Sequence, residues 1–403
     1  MENTDLTRTR KIIIGVQFLF VAFGSTVLVP LLVGLDPATA LFTAGVGTLI
    51  FHLVTGGKVP IFLGSSFAFI APIIAATKQW GLSGTLAGIS GVALVYFGMS
   101  ALILWQGRRM LNRFFPPVVI GPIIILIGLS LSGAGVDMAK TNWTLALISL
   151  GTAIAVLTFC RGLIKLVPVF CGILAGYIVA LYLGVVDLSD VSTAPWFALP
   201  TSISHFQLPD FSWEPVVFMI PVAIAPVIEH IGDVYVISNV ARKDFVKDPG
   251  LHRTMLGDGL ACLVASFLAG PPVTTYSEVT GAMQITKVTH PQVIRIAAIT
   301  ALVFSVLGKL SAVLQSIPTA VLGGIMLLLF GSIASVGVQS MINNKVDLHQ
   351  TRNLIIVSVT LTMGIGGASI GYGDFMFTGI GLASMVAVVL NLLLPASKGE
   401  EKE

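Results

Sequence analysis

Apolar windows of about 17–25 residues, each long enough to cross a bilayer's hydrocarbon core, succeed one another along nearly the whole chain. They lie near 12–34, 37–57, 84–105, 115–133, 143–160, 163–185, 214–237, 251–269, 292–313, 319–337, 352–368 and 375–395. In that environment every backbone N–H and C=O needs a partner within the chain, so the windows are expected to be helices. Only 10% of the 403 residues are charged, against roughly 25% in soluble proteins. A soluble enzyme is thereby excluded. The net charge of +3 is spread over short loops and forms no nucleic-acid-binding patch. Cys160, Cys171 and Cys262 sit in or beside apolar runs without ligand spacing and read as packing residues. The polar start MENTDLTRTRK runs directly into a full-length window, so no cleavable leader is expected.

Two more segments, 60–78 and 272–286, are apolar but interrupted by small and polar residues. Counting both gives fourteen passes. With the start of the chain in the cytoplasm, inside loops then hold nineteen Lys and Arg, including Arg108, Arg109, Lys398 and Lys402, and outside loops hold only Lys78, Lys140 and Lys309. That asymmetry follows the positive-inside rule. Deleting one interrupted segment inverts every later loop and destroys it. Both termini are therefore expected to be cytoplasmic.

A faint internal repeat supports the count. FPPVVIGPIIILIGL at 115–129 resembles IPTAVLGGIMLLLFG at 317–331, and the interrupted segments recur at a similar shift. Seven passes separate the paired elements, an odd number, so the two copies enter the membrane in opposite directions. The fold class expected is an all-α polytopic membrane protein of two inverted seven-segment repeats, with short strand and half-helix character in segments 3 and 10. Residues 1–186 form the first repeat, 187–213 an extracellular connection, 214–396 the second repeat and 397–403 a cytoplasmic tail. Inverted repeats with paired broken segments are the pattern of secondary transporters, whose sites lie between the breaks.

Four acids, Glu229, Asp233, Asp258 and Glu278, fall within the windows. An ionisable residue at that depth marks function by default. Glu229 and Asp233 are four apart and share a helix face, with His230 about a quarter turn away. Such a pair is able to hold a metal, a proton or the N–H donors of a ligand. No HExxH, second ExxH or Cys/His cluster supports a metal, and no Lys or Arg lies mid-span to neutralise the acids, so a ligand- and proton-binding role is preferred. Asp258, near the start of its window, reads as a cap or interfacial residue. His52 reads as a satisfied buried histidine. In VPIFLGSSFAFIAPI (59–73) and PPVTTYSEVTGAM (271–283), extended chain is expected to switch to half-helix near Phe67 and near Tyr276, Ser277 and Glu278. The free N–H groups of such ends bind carbonyl or anionic atoms. Phe67 is placed either to pack or to stack on a flat ligand. Kinked continuous helices are the alternative.

GSSFAFI at 64–70, the EHxG run at 229–232 and TTYSEVTGAMQITK at 274–287 resemble the nucleobase/ascorbate transporters, and most of all their bacterial uracil permease branch. FGSTVLVP, DPATALFTAGVGTLIF, WFALP and KDPGLHRTM extend the likeness from about residue 11 to 394. The resemblance implies a core domain of segments 1–4 and 8–11, a gate domain of segments 5–7 and 12–14, and proton-coupled import of a nucleobase across the plasma (bacterial inner) membrane, often by a homodimer. Uracil is the substrate expected; xanthine or another purine base, or an anion carried by a sulfate-permease-like relative of the same architecture, are the alternatives. By position, Glu229 would bind ring N–H groups and Phe67 would lie against the base. Ser277 and Glu278 would offer amides to the ring carbonyls, with Tyr276 beside them, while Glu229, Asp233 or Glu278 would take the proton. No cofactor, metal or nucleic acid is implied. The chain departs from the family pattern in having Asp233 for histidine, Ser277 for glycine, Val279 for asparagine and Gln17-Phe18 for a Gln-His pair.

Overall fold

The computed structural model describes residues 7–107, 113–162, 164–200, 208–372 and 375–395. Arg108, Arg109, the middle of the 187–213 connection and the expected tail 397–403 lie outside the described residues.

The first apolar windows become helices α1 (Arg8–Val33) and α2 (Pro37–Val54). Asp36 sets the boundary between them: its carboxylate accepts from Ala38 N at 3.0 Å and Pro37 fills the first helical position. A short strand β1 (Leu63–Ser65) and a 3-10 turn (Phe67–Phe69) lead into α3 (Ile70–Gln106). Two expected segments thus meet in one helix, interrupted at Gly81, whose φ of 69° needs a glycine. Next come α4 (Pro117–Ser130), α5 (Ser132–Lys140), α6 (Trp143–Phe159), α7 (Pro168–Tyr182) and the short α8 (Ser189–Thr193).

The window at 214–237 is not one straight helix. It divides into α9 (Trp213–Met219) and α10 (Ile224–Ala241), bent by 44°. Pro221 lies in the break, and with no N–H and a ring in place of one it stops the helical ladder there. Beyond it lie α11 (Leu251–Phe267), strand β2 (Val273–Thr275) and α12 (Ser277–Thr286). They are followed by α13 (Pro291–Ser305), α14 (Gly308–Gln315), α15 (Thr319–Asn343) and α16 (Thr351–Ile365).

The last window also departs from expectation. A hairpin of β3 (Ser369–Tyr372) and β4 (Phe375–Thr378) precedes α17 (Gly379–Leu393), so helix begins only at residue 379. The pair Gly373-Asp374 between strands rich in aromatic residues is a hairpin signal that apolarity alone conceals.

Among the described residues five helices are long and apolar enough to cross a membrane, and a sixth if the bent pair counts as one. The helices sort into two packed groups. In one, α11 packs on α2 and α3, and α13 on α1 and α2; in the other, α15 packs on α4, α5 and α6, and α16 on α4 and α17. Between α8 and α14 the connection is tied down: Lys309 Nζ donates to Val191 O at 2.7 Å and Ser192 O at 2.9 Å, and Ala198 N donates to Val306 O at 3.0 Å. A cavity of about 590 Å³ opens beside it, lined by Asp36, Asp190, Ser311 and Gln315 among others and by none of the expected site residues. Asp187, on its rim, has its carboxyl held below the usual carboxylate range by hydrogen bonds from Ser189.

Candidate functional site

The two interrupted segments meet. Strand β1 pairs antiparallel with β2, Leu63 opposite Thr275 and Ser65 opposite Val273. The ladder continues through Tyr276 N to Phe62 O at 3.1 Å and Ser66 N to Pro272 O at 2.9 Å. Extended backbone survives at this depth because each strand satisfies the other. The first group of helices closes round the pair. Thr48 Oγ1, on α2, accepts from Leu63 N at 2.9 Å, Ser65 Oγ donates to Thr26 O at 3.1 Å, and the Tyr276 hydroxyl donates to Ser65 O at 2.8 Å. His52 is buried and bonded through Nε2 to Ile61 O at 3.2 Å. Gly64 lies so close to the Tyr276 ring that a Cβ there would collide with it.

The strand-to-helix switches fall where the sequence places them. Tyr276 takes the position before α12, and no side chain caps that helix, so its first-turn amides keep their hydrogen-bonding capacity. Ser277 and Glu278, flanked by buried residues, are themselves exposed, and Glu229 is half-buried. Each of the three therefore keeps accessible surface. Glu229 makes no hydrogen bond to a described side chain, although it lies within the field of Asp233, Glu278 and Asp258. Glu278 Oε1 accepts from Ser25 Oγ on α1 at 3.3 Å. Phe67 is 8% exposed and meets Phe330 of α15 edge-on at 6.1 Å, at the seam between the two helix groups.

Asp233 is 7% exposed and fully engaged. Its Oδ2 accepts from Thr275 Oγ1 and its Oδ1 from Ser277 Oγ, both at 2.5 Å. Both donors belong to the β2–α12 junction, so this carboxylate clamps the junction to α10. Positions 233 and 277 are therefore bonded to each other.

Asp258 is not the interfacial cap the sequence suggests. It is fully buried, and its Oδ2 lies 2.8 Å from His230 Nδ1, while His230 Nε2 lies 2.9 Å from Thr254 Oγ1. Positional reasoning missed this because the partners sit on different helices. Ser25, Thr275 and Thr254 carried no signal, since hydroxyls are common in membrane helices. Among the described residues no group of three His, Cys, Asp or Glu side chains is arranged to hold a metal ion.

Comparisons with known proteins bear on the family and the fold. The probable uracil permease of Haemophilus influenzae is 48% identical over 403 residues, covering 98% of this chain and 96% of that protein. The uracil permease of Bacillus caldolyticus is 46% identical, covering 95% and 92%, and that of Escherichia coli K12 is 38% identical, covering 94% and 90%. Two solved structures share the fold at low identity. The transmembrane domain of the cyanobacterial bicarbonate transporter BicA superposes with a TM-score of 0.65 at 16% identity, over 95% of this chain and 96% of that one. SLC26A9 gives 0.67 at 12% identity, over 95% of this chain; the chain spans 64% of the length of SLC26A9. The Xan_ur_permease model, described as a permease family, matches residues 9–371. With that match and relatives of such identity along its length, the chain belongs to this permease family of nucleobase transporters.

Proposed function

We propose that the protein imports uracil by proton symport, with alternating access. The observation that carries the reading is the convergence of a carboxylate without a hydrogen-bonding side-chain partner among the described residues and an uncapped helix N-terminus. Glu229 accepts the two N–H groups of the flat ring, and the amides of Ser277 and Glu278 donate to its carbonyls. Phe67 lies against the base, and Tyr276 supports the slot from behind through its bond to β1. Charge-assisted bonds of this type are about twice as strong as neutral ones. The curated relatives named as uracil permeases support uracil over a purine. The fold neighbours include a bicarbonate transporter, but the carboxylates at this site and the absence of Lys or Arg from its described partners favour a neutral N–H-bearing ligand over an anion.

The coupling proton goes to Glu229, Asp233 or Glu278, where it relieves repulsion among neighbouring carboxylates. The helix group containing α1, α2, α3, α11 and α13 acts as the core and the group around α15 as the gate. Fourteen passes in two inverted repeats, divided at the 187–213 connection, cytoplasmic termini, an inner-membrane location and a homodimer complete the proposal. Radiolabelled uracil uptake into proteoliposomes tests it. Uptake is expected to accelerate when the outside is made acid relative to the inside; uptake indifferent to the imposed gradient removes the proton from the mechanism.

A further inference from the structure

We propose that His230 and Asp258 hold one resident proton between them, locked in place by Thr254, which is not among the protons carried with substrate. Hydrogen-bond accounting at the fully enclosed pair leads there. Thr254 has a single hydroxyl proton and two acceptors for it, Leu251 O at 2.9 Å and His230 Nε2 at 2.9 Å. If the hydroxyl donates to Leu251, Nε2 must carry its own hydrogen and donate to Thr254. The 2.8 Å contact from Nδ1 to Asp258 Oδ2 then requires a second proton, on nitrogen or on oxygen, and the pair is neutral overall. If the hydroxyl donates to Nε2 instead, Nδ1–H faces an ionised Asp258 and the site holds a net negative charge.

The surroundings decide between the two. Both side chains are 0% exposed, and the rings of Phe51 and Tyr96 stand 6.4 and 6.5 Å from the imidazole. The titratable groups facing the pair are Tyr96 on α3, Glu229 and Asp233 on α10, and Cys262 on α11. None of them supplies a positive charge. Asp258 Oδ1 has no partner among the described residues, which suits the carbonyl of a shared-proton carboxyl and not half of a bare carboxylate. An enclosed charge without a counter-charge is what protein interiors avoid. The neutral, proton-loaded arrangement satisfies every donor once. It also joins α10 to α11 directly beside Glu229, so it fixes the helix that presents the substrate-binding carboxylate. On the reading given above, the carried proton then belongs to the acids at the substrate site.

The test is ¹⁵N NMR of the full-length protein, labelled with ¹⁵N-histidine and held in lipid nanodiscs, with a His230→Gln sample assigning the signals. The His230 ring is expected to show hydrogen on Nε2 and a proton shared between Nδ1 and Asp258, and to keep that pattern when uracil is added. A bare Nε2, or a change in the ring hydrogens on adding uracil, overturns the proposal. Thr254→Val removes the acceptor of the Nε2 hydrogen and is expected to change the pattern, while Thr254→Ser preserves it; a valine variant indistinguishable from wild type removes Thr254 as the lock. If the valine variant does not fold, the wild-type spectra still decide. The ligand-free spectra do not depend on uracil being the substrate.

Discussion

The two interrupted segments share a strand and a switch to helix, yet they are loaded oppositely. After β1 the chain turns through Phe67-Ala68-Phe69, all buried and apolar. After β2 it turns through Ser277 and Glu278, both exposed and polar. Ser65 on the first side bonds back into α1, whereas Thr275 and Ser277 on the second bond to the acid of another helix. One segment builds a wall and the other builds the polar contacts. Two breaks of the same strand-to-helix form thus present one apolar and one polar turn.

The largest effect is expected from breaking the contact that holds the two segments together. Gly64→Val drives a branched side chain into the Tyr276 ring and Thr26; overpacking of this type costs roughly 1–3 kcal/mol or more. A lowered unfolding temperature in detergent together with lost uracil binding is the expected result; wild-type stability would show that the strands tolerate separation. Next comes the acid the polar turn faces. Glu229→Gln removes a charged acceptor, and hydrogen bonds to charged groups contribute roughly 1.5–3 kcal/mol. Uracil affinity is expected to fall about 10- to 100-fold, with unfolding temperature unchanged, and an unaltered dissociation constant takes Glu229 out of the slot.

The clamp on the polar turn should respond less. Ser277→Ala and Asp233→Asn are each expected to weaken binding, and the double variant to lose less than the sum, because the two side chains share one bond. Strict additivity in that cycle contradicts the clamp. Smallest is the wall: Phe67→Leu keeps apolar bulk but loses the aromatic face, a change of about 0.5–1.5 kcal/mol or roughly 2- to 10-fold in affinity. A loss equal to that of Glu229→Gln would mean that the wall carries as much of the binding as Glu229 does.

Much of this arrangement was legible in sequence because membrane chemistry is restrictive. Acids at 229, 233 and 278 stood out against apolar runs, and glycine with β-branched residues marked both breaks. The windows 214–237 and 375–395 read as continuous because apolarity fixes depth and not backbone shape; the first is broken around Pro221 and the second opens with a strand pair. Asp258 was misplaced for a different reason. Its position near a window's end suggested water, while its true partner, His230, is set by how α10 and α11 pack. Hydroxyl donors such as Ser25 and Thr275 are invisible until three-dimensional neighbours are known.

The pairing of β1 with β2 also sets a timetable for synthesis. Tyr276 and Ser65 are 211 residues apart, so β1 is made long before the strand that completes its backbone bonding. Closing so long a loop is intrinsically slow, and an unpaired strand in lipid is costly in the meantime. Thr48 lies on the helix just before β1 and bonds both Leu63 N, at 2.9 Å, and Leu63 O, at 3.3 Å. One threonine of the first half thus satisfies both backbone groups of Leu63 without calling on the second half of the chain.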